Sequence, residues 1–526
     1  MSLEAFLHNL HADTYASRPP DWEVDWEDAP LKYKLYRGLS AFPLSPEVSL
    51  TLEVRELPSK TDLTCIGHFL WYVFGLTQFS HSYPAANTLG QSAGPLQMYR
   101  RFVPSGGGLY PNEVYVYLKT KDIPAGLYHY DAAHHRLVML REGDFDSYLA
   151  QALGNRCDLS ACFGTVFISS VFWKNFFKYN NFAYRLQGLD TGVLIGQLLE
   201  VAKRFGFASG VYFQFLDRAV NHLLGLSDRE ESVYAVIPLS TEPLITWFNI
   251  DNDRTKNALA AELCRELPAV RHDRYERSQR VKEFPMIIKM NEASMMDSSE
   301  SFRQIGAVQK IGNGIQMAYM PRVKRLSYDL ASICRKRYSP ETDFILSRVT
   351  KPQLAALLQE AMGSFSYRND LEMPHEKSEP RVSLYACLYN VEGVPNGAYR
   401  YDSANHALIR ILPGDHRLQL QQGMSLDNVN LFQVPLCLHV AGEKDYFKTA
   451  LGYRGYRIQQ MEAGMLVQRL LLAASAIGMG GRPLLGFNAS YCDEIYKMAL
   501  QEKTSLIQIP IGLYRDRPRL EGGLHS

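Results

Sequence analysis

The chain has 526 residues, of which 46% are hydrophobic and 21% charged, with a formal net charge of +1. This length exceeds one ordinary hydrophobic core and predicts two domains, while the near-neutral charge excludes an electrostatic reason to expect nucleic acid or an anionic membrane as a partner. No uncharged apolar run approaches the roughly 20 residues that span a bilayer, and the N-terminus lacks a signal-peptide pattern, so a cytoplasmic location is expected.

Cysteine and histidine give no sign of a metal site or of disulfides. The eight cysteines include no C-x-x-C pair, and the fourteen histidines form no constellation. Such scattered cysteines are typical of small buried side chains, so neither a zinc site nor a disulfide framework is predicted.

The first distinctive segment is "DWEVDWED" at residues 21–28, which places two of the five tryptophans four residues apart among acids. One interpretation is a docking segment for a partner protein or peptide. The other is an arm that packs over the neighbouring half of the chain.

A glycine-rich turn follows at residues 101–118, "RFVPSGGGLYPNEVYVYL", directly before an alternating apolar strand. Glycines lack a Cβ atom, so their backbone N–H groups can approach a bound molecule closely. Further on, "IPAGLYHYDAAHHRL" (123–137) predicts a strand, a turn and a second strand. The stretch 184–207 has helical periodicity, and Gly206 lies where a residue in the left-handed conformation is expected to end the helix.

These elements recur in the second half of the chain. Residues 123–137 align without a gap with "VPNGAYRYDSANHAL" (394–408), and 184–207 aligns with 456–479. Upstream, Thr350 and Gln353 predict a capping box for a second-half helix, and Gly478 takes the place of Gly206.

The repeat predicts two copies of one α+β unit, placed in domains at 1–250 and 326–526 and joined by a polar linker or insertion at 251–325. Two related copies in one chain indicate a fused dimer with a pseudo-twofold axis. A symmetric dimer has two equivalent interface sites, and fusion allows one of them to decay.

The stretches "RFVPSGGGLYPNEVYVYL", "GLYHYD" and "AYRLQGLDTG", in this order, resemble the nitroreductase superfamily. The resemblance is closest to its SagB/ThcOx-type branch, the FMN-dependent dehydrogenases that oxidise azolines to azoles in peptide natural products. It covers nearly all of the first copy and, more weakly, the second. It implies an FMN site between two subunits, with a Pro-Ser-Gly loop over the flavin ring and basic residues around the phosphate.

Carried onto this sequence, these roles fall on different copies. The first copy has the ring cradle, and the second copy has "ICRKRYS" and "IPIGLYRDRPR" where phosphate-binding residues are expected. At the cradle positions the second copy has "PHEK" (374–377), whose bulk should fill the flavin space. We therefore expect one composite FMN site per chain. The cradle residues are Pro104, Ser105, Gly106 and Gly107, and the phosphate-binding residues are Arg335, Arg337, Ser339, Arg515 and Arg517.

Three further cofactor-binding candidates have plain structural alternatives. Arg101 borders the cradle and contacts FMN or closes a salt bridge. Gly480 and Gly481 let the backbone approach the flavin, although a helix cap with a following turn explains one of them.

Lys178 and Tyr179 correspond to the Lys-Tyr pair that the resemblance assigns to proton transfer in azoline dehydrogenases. Tyr179 would act as acid or base, with Lys178 either lowering its pKa or taking the proton itself. Both can serve one site only in a loop or helical turn, since neighbours on a strand face opposite sides. The alternative is a solvated lysine beside a packing aromatic.

The resulting expectation is an FMN-dependent oxidase or dehydrogenase of a peptide-derived thiazoline or oxazoline, with O2 as electron acceptor. Its expected partners are a modified peptide or carrier-bound substrate and other biosynthetic enzymes, and a monomer is compatible with the pseudo-dimer. The alternatives are a dehydrogenase of another biosynthetic intermediate, an NAD(P)H-dependent nitro or quinone reductase, and a scaffold that has lost flavin.

Overall fold

The computed structural model describes residues 1–12, 17–53, 60–82, 96–242, 247–248, 257–305, 317–363, 367–372, 380–516 and 520–524. The first copy contains strands β1 (Ala41–Pro43), β2 (Leu76–Ser82), β3 (Leu96–Arg101), β4 (Asn112–Leu118), β5 (Gly126–Asp131), β6 (Arg136–Glu142), β7 (Gly164–Val171), β8 (Ala208–Ser209) and β9 (Glu231–Ser240). Its helices are α1 (Leu3–Ala12), α2 (Leu63–Phe74), α3 (Asp146–Ala152), α4 (Trp173–Tyr179), α5 (Ala183–Phe205) and α6 (Asp217–Leu224).

The segment after the first copy carries helices α7 (Ala260–Glu266) and α8 (Pro285–Ser294). The second copy contains strands β10 (Met317–Tyr319), β11 (Phe344–Ile345), β12 (Ser383–Leu388), β13 (Gly397–Asp402), β14 (Ala407–Pro413), β15 (Leu436–Glu443), β16 (Gly480–Gly481), β17 (Lys503–Tyr514) and β18 (Leu520–Gly523). Its helices are α9 (Leu330–Lys336), α10 (Lys351–Gly363), α11 (Arg417–Gln422), α12 (Lys448–Leu451), α13 (Arg454–Ala476) and α14 (Ala489–Ile495).

Each copy builds one sheet with the same central strand order. The first sheet runs β1-β6-β5-β4-β7-β9-β8, and the second runs β10-β14-β13-β12-β15-β17-β11, with β16 also paired to β17. Strands β5 and β6 and their counterparts β13 and β14 are the predicted strand-turn-strand repeat. The expected α+β class with two related domains is confirmed.

The central strand β4 shows why these sequences form buried sheets. Val114, Val116 and Leu118 join the main hydrophobic core, whereas Tyr115 and Tyr117 join a second cluster on the other face. Because side chains alternate along a strand, one sheet can contact a core on each face.

Helices α5 and α13 cross at the pseudo-twofold axis. They occupy equivalent positions in the two copies, and each has 23 residues. A Cβ on Gly192 would overlap the Met461 carbonyl oxygen, and one on the equivalent Gly464 would overlap the Leu189 carbonyl oxygen. Glycine at both positions lets the helix backbones touch, so the copies form the expected intramolecular pseudo-dimer.

A third sheet joins the ends of the two copies. Strand β18, from the end of the second copy, pairs antiparallel with β2, which pairs in turn with β3. Since β3 leads directly into the glycine-rich turn, the second copy supports the strand that carries this turn.

The described part of the 251–325 segment is packed against both copies. Ala260 and Ile287 are fully buried. Arg454 of α13 donates a hydrogen bond of 2.9 Å to the Ser294 carbonyl oxygen, and Arg457 contacts Asn291. The segment therefore contributes to the pseudo-dimer interface.

Several local predictions are confirmed. Thr350 and Gln353 form the reciprocal bonds of a capping box, and Gly206 and Gly478 have left-handed backbone angles at the ends of α5 and α13. No helix in the described ranges is long and apolar enough to cross a membrane.

Candidate functional site

The glycine-rich turn lies between β3 and β4 and faces the end of helix α4. Gly107 is exposed and has φ +64°. A Cβ there would overlap the Tyr179 hydroxyl and lie 3.1 Å from Lys178 Nζ. The structure therefore brings the cradle and the predicted catalytic pair together, and the missing Cβ of glycine allows the Tyr179 hydroxyl to approach the turn closely.

Asp190 on α5 binds the glycine-rich turn that forms the cradle. Ser105 Oγ donates to one Asp190 carboxylate oxygen at 2.6 Å, and the Gly106 N–H donates to the other at 3.0 Å. The Tyr110 N–H donates to Ser105 Oγ at 2.9 Å. Burial raises the pKa of Asp190 to about 6, against the lowering effect of these bonds. One buried carboxylate thus fixes the conformation of the loop.

Lys178 and Tyr179 form the last turn of α4, which meets the condition for both to serve one site. Burial lowers the pKa of Lys178, with Arg482 as the second cause. Burial and then the charge of Asp190 raise the pKa of Tyr179 to about 12, and Arg482 opposes this rise. Tyr179 thus keeps its proton near neutral pH, and Lys178 is the better base of the two.

Arg101 lies at the end of β3, is only 1% exposed and has no carboxylate partner among the described residues. Its Nη2 donates to the Lys32 carbonyl oxygen at 2.8 Å, whereas its Nε and Nη1 have no hydrogen-bond partner. The nearby carboxylate of Glu113 already binds Lys174 and His129. Arg101 therefore offers a buried guanidinium with unused donors.

The predicted phosphate-binding stretch of the second copy lies against the first copy. The Arg337 carbonyl oxygen accepts a hydrogen bond from Arg100, and Arg335 Nη2 donates to the Leu50 carbonyl oxygen at 3.3 Å. Arg337 is 5% exposed, and its Nε has no partner. Burial lowers the pKa of Arg337 to about 10, with the charge of Arg100 as the next cause.

The remaining phosphate-binding candidates are spread along the second copy. The Ser339 carbonyl oxygen accepts a bond of 3.3 Å from Arg482, while Arg515 is exposed just beyond β17. Arg517 lies outside the described residues. The roles assigned to all these residues stay predictions.

Gly480 and Gly481 form strand β16, paired with β17. A Cβ on Gly480 would lie 2.7 Å from Pro340 Cδ, and one on Gly481 would lie 2.8 Å from Leu471 Cδ2. Packing inside the second copy thus explains both glycines. The next residue, Arg482, ion-pairs with Glu341 at 2.9 Å.

The second copy has an internal ion pair at the position equivalent to Asp190. Glu462, at the position equivalent to Asp190, accepts a bond of 3.0 Å from Arg381 Nε and one of 2.7 Å from the Tyr367 hydroxyl. Arg381 is 6% exposed. The Lys178 and Tyr179 positions are Ala450 and the buried Leu451, and residues 374–377 lie outside the described residues.

Sequence reasoning did not select Asp190, Arg482 or Lys32 as site residues. Asp190 stands within the quoted motif "AYRLQGLDTG" opposite Glu462, so an acid at the same helix position in both copies was an available signal. Lys32 contacts Arg101 through its carbonyl oxygen, and burial lowers its pKa, followed by the charges of Arg101 and Lys178. Nothing in the spacing of Lys32 or Arg482 indicated this proximity.

The tryptophan segment borders the same site. Trp22 is buried edge-on against Phe176 at 5.1 Å between ring centroids, and Trp26 packs edge-on against Phe177 at 5.6 Å. Lys178 Nζ lies 5.5 Å from the centroid of the Trp26 ring. The segment is thus an arm, but both tryptophan rings pack against α4 of their own half of the chain, whereas the expected arm packed over the neighbouring half.

Comparisons with known proteins agree with this architecture. A family model described as the nitroreductase family matches residues 83–239 and 335–513, one region in each copy. A Methanocaldococcus jannaschii protein described as a nitroreductase is 26% identical over 172 residues, covering 32% of this chain and 84% of that protein. The trifolitoxin-processing protein TfxB of Rhizobium leguminosarum bv. trifolii is 28% identical over 202 residues, covering 37% of this chain and 52% of that protein.

A crystal structure of an Anabaena variabilis protein described as a nitroreductase superposes with a TM-score of 0.73 and 22% identity. The match covers 98% of this chain and 99% of that chain. The Anabaena variabilis protein therefore has the same fold as this chain over nearly its full length.

Proposed function

Because the chain belongs to the nitroreductase family, whose model matches both of its halves, we propose that it is an FMN-dependent oxidoreductase with one composite site. The finer proposal is the dehydrogenation of a peptide-derived thiazoline or oxazoline ring to the azole. The observation that carries it is that Gly107, Lys178 and Tyr179 of the first copy lie together. In addition, the positive charge of Arg482, from the second copy, lowers the pKa values of both Lys178 and Tyr179.

The residues present fit an anionic flavin nucleotide. The guanidinium groups of Arg101 and Arg337 are buried, and the Nε of each has no hydrogen-bond partner, although the Arg101 guanidinium also packs over the Phe74 ring at 3.9 Å from its centroid. Both groups can therefore donate to an anionic ligand. A Cβ at Gly107 would overlap the Tyr179 hydroxyl, so glycine is needed for this side chain to contact the cradle. FMN would be held at its ring by Ser105, Gly106 and Gly107, and at its phosphate by Arg335, Arg337, Ser339, Arg515 and Arg517.

The chain's own contribution to the reaction is proton handling and orientation. Bound FMN would supply the hydride acceptor, with O2 taking the electrons onward. The ring loses one C–H proton to the neutral amine of Lys178 and one hydride, and a ring double bond forms. Because the pKa of Tyr179 is raised to about 12, Tyr179 donates a hydrogen bond that orients the substrate.

The substrate class is supported by the Lys178–Tyr179 pair and by the relative TfxB, whose name assigns it to trifolitoxin processing. A peptide or a carrier-bound substrate, delivered by other biosynthetic enzymes, fits this proposal. TfxB matches this chain over only 52% of its length, so its processing role is a guide to the class of substrate alone.

A second candidate is NAD(P)H-dependent reduction of nitroaromatics or quinones. It is favoured by the M. jannaschii relative, which is described as a nitroreductase and is matched over 84% of its length.

The two candidates differ in the direction of electron flow. The FMN-loaded full chain is mixed anaerobically with a synthetic thiazoline peptide or with NADPH. Bleaching of the flavin by the peptide, reoxidation by O2 and a loss of two hydrogens from the peptide support the azoline dehydrogenase. Rapid bleaching by NADPH alone, with no change in the peptide, would replace it by the reductase.

A further inference from the structure

Trp26 is an exposed indole beside the proposed catalytic lysine. Its side chain is 57% exposed, and it is the only one of the five tryptophans, all of which lie in the described ranges, that is classed as exposed. Leaving a large aromatic ring in water forgoes a substantial burial free energy. The exposed ring is therefore available to contact a bound molecule.

The backbone on both sides of Trp26 is anchored. Asp25 forms an ion pair of 2.6 Å with Arg280, and the Asp28 carboxylate accepts 2.8 Å bonds from the N–H groups of Gln279 and Arg280. The Asp28 carbonyl oxygen also accepts a bond of 2.7 Å from Ser278. The segment after the first copy thus holds the indole in place although the ring faces solvent.

The ring stands next to the site of the proposed chemistry. Phe177 supports it edge-on at 5.6 Å, and Lys178 Nζ lies 5.5 Å from its centroid. The same Nζ lies 3.1 Å from the position that a Cβ on Gly107 would take. Lys178 Nζ is therefore close to both the cradle and Trp26, so a ring that gives its proton to Lys178 comes within reach of the indole.

We propose that Trp26 is a specificity-determining residue that stacks on the flat five-membered ring of the substrate and forms the outer wall of its site. The inference rests on the proposed function and adds to it the surface that selects a planar ring. The azoline ring is not aromatic but the azole product is, and offset or edge-to-face contacts between aromatic rings are favourable beyond simple burial, so the contact with Trp26 strengthens as the ring double bond forms.

The test measures binding of an unreactive product analogue, a short synthetic peptide with one thiazole ring, to the FMN-loaded full chain by titration of the flavin absorbance. Trp26→Ala should weaken binding by roughly three- to tenfold, and Trp26→Phe should restore most of the affinity. Tyr319→Ala is the matched control, since Tyr319 is an aromatic side chain on β10 that is 64% exposed. It should bind as the unmodified chain does.

Each other outcome has a definite meaning. Equal affinity of the unmodified chain and Trp26→Ala, at equal FMN content, overturns the stacking role and leaves the proposed function standing. No binding of the thiazole peptide to the FMN-loaded unmodified chain overturns the proposed substrate class, and the role of Trp26 falls with it.

Discussion

Asp190 and Glu462 occupy the same position on the two equivalent helices α5 and α13, yet they have opposite environments. Asp190 holds an open glycine loop through a hydroxyl and a backbone N–H, while Glu462 is neutralised by the guanidinium of Arg381. Both side chains are acids, so the difference lies in their partners. The comparison teaches that the same acid position can support a loop in one copy and an internal ion pair in the other while the helix framework around it is kept.

The largest effect should follow from removing the cations that the second copy is proposed to contribute. Arg335→Ala with Arg337→Ala should lower FMN affinity by roughly 100-fold or more, because each lost charge-assisted bond costs about 1.5–3 kcal/mol. Fluorescence titration of the apo chain with FMN measures this. Lys336→Ala is the control, since Lys336 lies between the two arginines but is exposed. Unchanged affinity of the double variant, or two FMN per chain, would contradict a single composite site.

Removing the proposed base should come next. Lys178→Ala should lower kcat by roughly 10²–10⁴-fold on a thiazoline peptide with FMN content unchanged, since a positioned base contributes about that much. The control is Lys448→Ala on α12, in the segment of the second copy that matches α4. Normal turnover by the Lys178 variant would remove the catalytic assignment.

Neutralising the paired acids should change stability in opposite directions. The pKa of Asp190 is about 6 in the folded chain, above its ordinary 3.8, so its contribution to stability is present below about pH 4 and lost as pH rises through 6. The loss is about 3 kcal/mol. At pH 8, apo Asp190→Asn should thus be more stable than the unmodified apo chain, and the two should converge at pH 4.

Glu462→Gln is the matched change in the other copy and should destabilise the apo chain by up to about 3–5 kcal/mol at pH 8, because it leaves the buried Arg381 with only Glu372 as an acid partner, at 3.6 Å. Thermal unfolding of both variants at pH 4, 6 and 8 measures the effects. If both substitutions shift stability in the same direction at pH 8, the proposed difference between the two sites is wrong.

The smallest effect should come from adding a methyl group to the cradle. Gly107 and Gly393 have nearly the same left-handed φ, +64° and +66°, but a Cβ on Gly393 meets nothing within 4 Å. Gly393→Ala should therefore cost about 1 kcal/mol of unfolding free energy from backbone strain alone. Gly107→Ala should cost more and also weaken FMN binding, because it displaces Tyr179. Urea unfolding measures both free-energy losses. If the two variants lose the same unfolding free energy, Tyr179 and Lys178 do not restrict a side chain at position 107.

Much of the fold was predictable from local patterns. The gapless match of 123–137 with 394–408 gave the duplicated strand pair, and the glycines at 206 and 478 marked the ends of two helices. These signals are readable because hydrophobic period, caps and turns depend on residues within a few positions of each other. The folded packing of 257–305 was not predicted, since its polar composition is typical of a linker.

The candidate site was predictable in part. The glycine turn and the Lys178–Tyr179 pair were selected from the sequence, and the structure places them in contact across Gly107. Arg482 was missed because its charge changes the pKa values of Lys178 and Tyr179, which lie some 300 positions away in the sequence. The exposure of Trp26 was missed because two tryptophans four residues apart look alike in sequence, although one is buried and the other open.

The sequence by itself determined that this chain is a duplicated α+β unit with a glycine cradle in one copy and a basic stretch in the other. Only the tertiary structure decided which side chains meet. The copies are brought together where α5 and α13 cross at Gly192 and Gly464 and where β18 pairs with β2. As a result, Arg100 donates a hydrogen bond to the Arg337 carbonyl oxygen, and the charge of Arg482 lowers the pKa of Lys178. Contacts of this kind depend on the packing of whole elements, which no local pattern encodes.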